Sequence, residues 1–233
     1  MSQPTVLGIV VARLDSSRLP GKALIAVRGR PLIDYVIERA RAVHGFTDLV
    51  LATTDRAIDA PLCEYAAANN VPVFRGDYQN IARRMLDCAT QRGSDYFLRL
   101  NGDSPFLDPA LVDRGIRLAL VTGADFVTNL IGRTFPYGIS VEVINTCCYS
   151  ALYPRLTSHD DREHMTRYLY LHMDEFRVQH FESDTPELAH ARLVVDTEPD
   201  LARFKNLAHL LGDGIAAVDY ERVARLWMEL SNT

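Results

Sequence analysis

Arg13, Arg18 and Lys22 lie in one short segment with two hydroxyls, Ser16 and Ser17, and with Gly21. Such a set can surround a triphosphate. Guanidinium groups clamp phosphate oxygens through paired donors, an ammonium acts as a point charge, and glycine lets backbone N–H groups come close. The segment carries neither the G-x-x-x-x-G-K-[ST] nor the G-x-G-x-x-G pattern, so it is no familiar phosphate loop or dinucleotide fingerprint. The same residues also suit a basic surface turn punctuated by Pro20-Gly21. A second candidate is Asn101-Gly102-Asp103-Ser104-Pro105. Beside a triphosphate, Asp103 is a hard oxygen donor suited to Mg²⁺, which commonly takes one or two carboxylates and fills its shell with water and phosphate oxygens. An Asx-type turn before proline is the plainer alternative.

The elements that must position these groups follow from hydrophobic patterning. Val6-Leu7-Gly8-Ile9-Val10-Val11 is an apolar run that reads as a fully buried strand emptying into the cationic loop. Further strands are expected at 49–53, 71–75 and 96–100, separated by helices over 30–40, 57–70 and 81–92, with Pro31 suited to a first helical turn. Strands alternating with helices imply a parallel sheet covered on both faces, with ligands beyond the carboxyl ends of the strands. The loops 13–22, 53–55, 75–80 and 101–104, with Thr53, Arg75 and Asn101, should then converge on one site. Beyond a helix at 108–121 and a strand at 125–129 the rhythm changes. Strands are expected at 139–144, 177–182 and 192–195, a helix at 160–172, and two closing helices from Pro199 and Asp219. No linker interrupts the chain, so 1–233 reads as one α/β domain with 130–187 as an inserted α+β subdomain.

Composition narrows the function classes. A chain of 233 residues with 48% hydrophobic content can bury one large core, and a net charge of -5 argues against a broad nucleic-acid-binding face. Cys63, Cys88, Cys147 and Cys148 form no C-x-x-C pair, which suggests reduced thiols. There is no signal-peptide pattern and no apolar run long enough to span a bilayer. A cytoplasmic protein with small-molecule partners, and neither nucleic acid nor membrane, is the expectation.

R-x-x-S-S-R-L-P-G-K after a first buried strand resembles the signature of the CMP-sugar-type cytidylyltransferases, the CMP-Kdo and CMP-acylneuraminate synthetases, and most closely their SpsF-like spore-coat-polysaccharide branch. The resemblance runs over roughly residues 5–205 through four ordered motifs. It implies a mostly parallel Rossmann-like sheet of the nucleotide-diphospho-sugar transferase (GT-A-like) type, CTP as donor, and Arg13, Lys22 and Asp103 as catalytic groups. Asn101-Gly102-Asp103 matches a Q/T/N-G-D-x-P motif whose aspartate binds magnesium, and Val195-Asp196-Thr197 matches a V-D-T-x-x-D-L motif that supplies a second metal aspartate. On residue type alone, Asp196 and Thr197 would cap the following helix.

The resemblance further places Arg75 and Arg84 on the nucleotide, Arg84 being preferred to Arg83 by alignment, although Arg83-Arg84 otherwise reads as a solvated helix face. Pro136 to Val143 resembles P-x-G-x-D-V-E-V, and Arg162-Glu163-His164-Met165-Thr166 resembles R-E-H-V-T, which implies acceptor binding by Tyr137, Glu142, Arg162 and His164. Ser140 stands where that pattern has aspartate. His159, Asp160, Asp161, Glu163 and His164 fit no standard zinc spacing. A homodimer paired through 130–187 is also implied. The reaction expected is attack of an acceptor oxygen on the α-phosphorus of CTP, with release of pyrophosphate, for surface polysaccharide or glycoconjugate synthesis. The acceptor is a 2-keto sugar acid or a phosphate or phosphonate compound. The competing readings are a nucleotidyltransferase for another base, a nucleotide-sugar glycosyltransferase, and a silent nucleotide-binding module.

Overall fold

The first apolar run is buried because its side chains alternate between two cores. In the structure, a computed structural model that describes residues 3–231, β1 (Val6–Val11) sends Val6 and Val10 into one core and Leu7 and Ile9 into the other. After the cationic loop, β2 (Ala26–Val27) and β3 (Arg30–Pro31) form a small antiparallel ribbon ahead of α1 (Leu32–Arg41). Pro31 therefore sits just before the helix, held by ribbon pairing with Ala26, and not inside its first turn. Next come β4 (Asp48–Thr54), α2 (Ala60–Ala68), β5 (Val73–Gly76), α3 (Ile81–Gln91) and β6 (Tyr96–Asn101). The helix expected over 57–70 opens with a single 3₁₀ turn at Ala57–Asp59 and ends at Ala68.

These four parallel strands run in the order β5-β4-β1-β6. The chain steps outward from β1 to β4 and β5, then crosses back to lay β6 on the other side of β1. That reversal is a topological switch point, where neighbouring connections diverge and leave a crevice beyond the strand ends. Val11 pairs with Asn101 in the register, so the cationic loop and Gly102-Asp103 leave the sheet side by side.

The remaining elements are α4 (Pro109–Thr122), β7 (Phe126–Thr128), β8 (Glu142–Asn145), α5 (Thr146–Leu152), α6 (His159–Glu163), α7 (Arg167–Leu171), β9 (Val178–His180), α8 (Glu198–Leu211) and α9 (Tyr220–Ser231). β8 pairs antiparallel with β6 and β7, and β9 parallel with β7, giving a seven-stranded, mostly parallel sheet of order β5-β4-β1-β6-β8-β7-β9. Residues 130–187 thus contribute β8 and β9 to the main sheet. One core packs α1, α2, α4, α8 and α9 residues such as Leu32, Leu62, Ile116, Phe204 and Trp227. The other packs Met85 of α3, Tyr149 of α5 and Leu169 of α7.

Two expectations need correction. The helix over 160–172 is broken at 164–166, where Met165 is drawn fully into the core and its carbonyl accepts the Tyr149 hydroxyl at 2.8 Å. The strand at 192–195 does not join the sheet. It is extended and buried, but its backbone bonds are spent elsewhere: Leu193 N–H donates to the Tyr137 carbonyl (2.7 Å) and Val195 N–H to the Asp103 carbonyl (2.9 Å).

Buried Arg39 on α1 ties the C-terminal part to this frame. Its guanidinium donates to the carbonyls of Leu107, Ile215, Ala216 and Val218. Arg39→Met keeps the apolar stem and removes every donor, leaving those carbonyls short of partners, and should cost about 3 kcal/mol of unfolding free energy. Guanidinium denaturation checks this; a loss below about 1 kcal/mol would mean that water replaces the side chain at little cost.

Candidate active site

The cationic loop is held from behind. Gly21 N–H donates to the Leu14 carbonyl (2.8 Å), closing the loop on itself, and Leu14 N–H donates to the buried carboxylate of Asp59 (2.7 Å). Asp59 also accepts the Thr54 hydroxyl from the end of β4. Arg56 pairs with Asp15 at 2.8 Å and lies 3.5 Å from the Tyr78 ring centroid. The Arg56 hydrogen bond, helped by the Arg13 charge, outweighs burial and holds the Asp15 carboxyl below its ordinary range.

Of the loops expected to meet, 13–22 and 101–104 border one cavity of about 240 Å³. Arg13, Ser16, Ser17, Arg18 and Lys22 line one part of it; Ile81 and Arg84 of α3, with Asn101, Gly102, Asp103 and Asp196, line the rest. Loops 53–55 and 75–80 act behind it. Thr53 is wholly buried with no hydrogen-bond partner for its hydroxyl among the described residues, and Arg75 donates to the carbonyls of Thr54, Asp55 and Arg56. Neither lines the cavity.

Asp103 and Asp196 share one ammonium. Lys22 Nζ donates to Asp103 Oδ2 at 2.5 Å and to Asp196 Oδ1 at 2.7 Å. Arg18 (3.2 Å) and Arg192 (2.9 Å) approach the other oxygen of Asp196. Burial would raise the Asp196 pKa, but Lys22 first, then Arg18 and Arg192, hold it below the usual carboxylate value. Helix capping falls to its neighbour: Thr197 and Asp200 form a reciprocal capping box on α8, which leaves the Asp196 carboxylate for Lys22. Gly102 is required beside it, since a Cβ there would stand 2.8 Å from the Val11 carbonyl.

Arg84 is 1% exposed and faces this cavity. It donates to the Asp77 carbonyl (3.0 Å), and among the described residues its Nε has no partner and no acidic side chain pairs with it. Burial, then the nearby Arg13 charge, lowers its pKa. A buried guanidinium without a counter-ion is costly unless an anion visits it. Arg83 instead pairs with Asp87 (2.7 Å) on the outer face of α3.

A second cavity, of about 270 Å³, shares Arg18, Asn101, Asp103 and Asp196 with the first and adds Arg99, Ser104, Leu130, Arg133, Tyr137 and Ser140. Gly138 also borders it, with φ of 102° and its Cβ position 2.7 Å from the Leu193 carbonyl, so only glycine fits. Of the residues the resemblance assigns to the acceptor, Tyr137 lines this cavity. Glu142 is buried behind it, paired with Arg99 (3.3 Å) and accepting the Tyr170 hydroxyl (2.9 Å). Arg162 and His164 line neither cavity; Arg162 donates to the Leu156 carbonyl (3.2 Å), and His164 N–H bonds the Asp160 carbonyl (2.8 Å) at the end of α6. The motif's Glu163 does approach the site, 3.8 Å from Arg13. Arg99 and Arg133 stand outside the sequence motifs, whereas Ser104 falls within Asn101-Gly102-Asp103-Ser104-Pro105. A lone arginine inside the apolar run Tyr96-Phe97-Leu98-Arg99-Leu100 was the available signal for the first.

No group of three or more His, Cys, Asp or Glu among the described residues is arranged to hold a metal. Two carboxylates that meet on one ammonium nevertheless form a place for positive charge. That donor set fits a divalent ion completing its shell with water and phosphate oxygens, and does not fit a structural zinc site.

A family model described as cytidylyltransferase matches residues 7–211. The chain is 32% identical over 217 residues to the spore coat polysaccharide biosynthesis protein SpsF of Bacillus subtilis, covering 89% of this chain and 88% of that one. It is 28% identical to a 3-deoxy-manno-octulosonate cytidylyltransferase of Solibacter usitatus, over 55% of this chain and 50% of that protein. A cytidylyltransferase structure from Leptospira borgpetersenii superposes with a TM-score of 0.89 at 24% identity, covering 100% of this chain and 96% of that one. A CMP:2-keto-3-deoxy-manno-octonic acid synthetase solved with CTP gives a TM-score of 0.69 at 20% identity, over 88% of this chain and 99% of that one. These two structural likenesses establish the fold.

The low pKa of Asp196 sets a sign for pH dependence. A depressed carboxylate contributes stability that is complete above its unfolded value, about 3.9, and is lost as pH falls through the folded value. At pH 6, Asp196→Asn should cost about 2 kcal/mol, because charged hydrogen bonds to Lys22, Arg18 and Arg192 are lost. At about pH 3, below the unfolded value, the wild type should have lost part of that advantage. Urea unfolding of both proteins at the two pH values checks it; a difference independent of pH would contradict the shared-ammonium arrangement.

Proposed function

The chain belongs to the cytidylyltransferase family, and from that premise we propose that it transfers CMP from CTP to a small acidic acceptor, with release of pyrophosphate, in surface polysaccharide or glycoconjugate synthesis. The observation that carries this reading is the meeting of Asp103 and Asp196 on Lys22 at the border of two cavities. The first cavity suits the nucleotide. Arg13, Arg18, Lys22 and the buried Arg84 supply positive charge for a triphosphate, and Ser16 and Ser17 supply hydroxyl donors. The second cavity, to which 130–187 contributes Leu130, Arg133, Tyr137 and Ser140, suits the acceptor.

In the proposed reaction an acceptor oxygen forms a bond to the α-phosphorus while the bond to the bridging oxygen of pyrophosphate breaks. The protein binds both partners and aligns them where its cavities meet; no side chain need form a covalent intermediate. Asp103 and Asp196 would hold the divalent cation, proposed to be Mg²⁺, which when bound neutralises phosphate charge and makes the acceptor oxygen a better nucleophile. Lys22 holds the carboxylates together and, once phosphates arrive, is placed to move its charge onto them. Arg84 keeps its charge in a water-poor wall, where it acts on phosphate oxygens with little screening.

No helix among the described residues is long and apolar enough to cross a membrane, and we place the protein in the cytoplasm. Pairing into a homodimer through 130–187, where Leu171 and Met173 are exposed, is part of the proposal; light scattering that finds only monomer would remove it.

Pyrophosphate release with each nucleoside triphosphate, over a panel of sugar acids and phosphorylated or phosphonate acceptors, tests the function. CTP should be preferred, and equal turnover with ATP or GTP would contradict the reading. Asp103→Asn and Asp196→Asn should each lower turnover about 10²-fold while changing CTP affinity far less, as expected for groups that act mainly in the transition state. Unchanged turnover in either variant would exclude the two-carboxylate mechanism.

A further inference from the structure

The second cavity holds positive charge and a hydroxyl that the protein itself does not use. Ser104 is only 4% exposed, borders the cavity, and its Oγ has no hydrogen-bond partner among the described residues. Arg99 also borders it. One terminal nitrogen of Arg99 lies 3.3 Å from Glu142, but its buried Nε has no hydrogen-bond partner among the described residues. Arg133 has no ion pair among the described residues; it sits at φ of 44°, with its guanidinium 5.5 Å from the centroid of the Tyr137 ring. The acids on the cavity are engaged elsewhere, Asp103 by Lys22 and Asp196 by Lys22, Arg18 and Arg192.

Unmatched donors of this kind call for an anion. Their distribution also bears on its shape. Arg99 comes from β6, Ser104 from the loop after it, and Arg133 from the turn after β7, so three separate segments offer donors to one small space. A planar carboxylate has two oxygens and is satisfied by a single guanidinium fork, whereas a phosphoryl group has three and a larger charge. Given the cytidylyltransferase reading on which this rests, we propose that the second cavity takes a tetrahedral phosphate or phosphonate group of the acceptor, with the Arg99 and Arg133 guanidinium groups and the Ser104 hydroxyl as donors. Arg99 is kept aligned by Glu142, and Glu142 by Tyr170. The acceptor class is then a phosphorylated or phosphonate compound, and a simple sugar carboxylate is a poor fit.

Protein-observed NMR titration tests this with methylphosphonate, inorganic phosphate and acetate as probes, on protein saturated with a non-hydrolysable CTP analogue. Methylphosphonate and phosphate should bind about tenfold more tightly than acetate, and Arg133→Ala, at an exposed position where folding is not at stake, should weaken them about tenfold. Ser104→Ala should weaken them severalfold, with affinity for the CTP analogue unchanged in both variants. Methylphosphonate binding without phosphate binding would assign the site to a carbon-linked phosphonate; equal binding of both assigns it to the shared oxyanion. Acetate binding as well as methylphosphonate, or unchanged affinity in Arg133→Ala, would overturn the proposal. So would displacement of methylphosphonate by the CTP analogue, since the cavity would then be a nucleotide-phosphate subsite. Binding of the CTP analogue is read in the same experiment. Its failure, tested with methylphosphonate repeated on the free protein, would count against cytidylyl transfer and not against the oxyanion site.

Discussion

Two aspartates far apart in the sequence face one another here because something positive stands between them, the ammonium of Lys22. Much of the local architecture serves that contact. Gly102 lets β6 leave the sheet against the Val11 carbonyl, which sets the position of Asp103. The hydrogen bond from Val195 to the Asp103 carbonyl brings the later segment alongside, and the Thr197–Asp200 capping box spares Asp196 from helix duty. Lys22 itself is delivered by a loop anchored through Leu14 to the buried Asp59. Take away the ammonium and two carboxylates would repel each other in a poorly solvated place. In the proposed mechanism the same pair receives a divalent ion once an anionic nucleotide offers Lys22 another partner.

The sheet explains why this meeting occurs where it does. Reversal of the chain across β1 opens the crevice between the ends of β1 and β6, and a loop rich in cations issues from one side while a carboxylate issues from the other. The two cavities meet at Asp103 and Asp196, so on the proposed assignment a nucleotide and an acceptor held in them would have their reacting ends at the shared carboxylates. Buried charge at the first cavity, chiefly Arg84, and unmatched donors at the second, chiefly Ser104 and Arg133, both mark places where the protein carries a cost that ligand binding can relieve.

The part of this that could be read in the residues is the part governed by local pattern. The alternation of apolar runs with helical spacing located the parallel half of the sheet to within about two residues at each strand end, and the ends of β1 and β6 followed from it. The resemblance supplied Asp196, whose local pattern suggested a helix cap. Where non-local hydrogen bonds decide, pattern alone was insufficient. The segment 192–195 has the composition of a strand, yet Tyr137 and Asp103 claim its N–H groups, and the helix at 160–172 breaks because Tyr149 holds the Met165 carbonyl. Arg75, which the resemblance assigns to the nucleotide, donates to the carbonyls of Thr54, Asp55 and Arg56. Arg133 lies in a short turn with no periodic signal, and only the folded chain places it beside Ser104 and Arg99.

The most direct test is a crystal structure with a non-hydrolysable CTP analogue and Mn²⁺, whose anomalous scattering locates the cation independently of the surrounding density. The account predicts a peak coordinated by both Asp103 and Asp196, with the Lys22 ammonium turned toward the phosphates. A cation held by phosphates alone, with Lys22 still joining the two carboxylates, would contradict it.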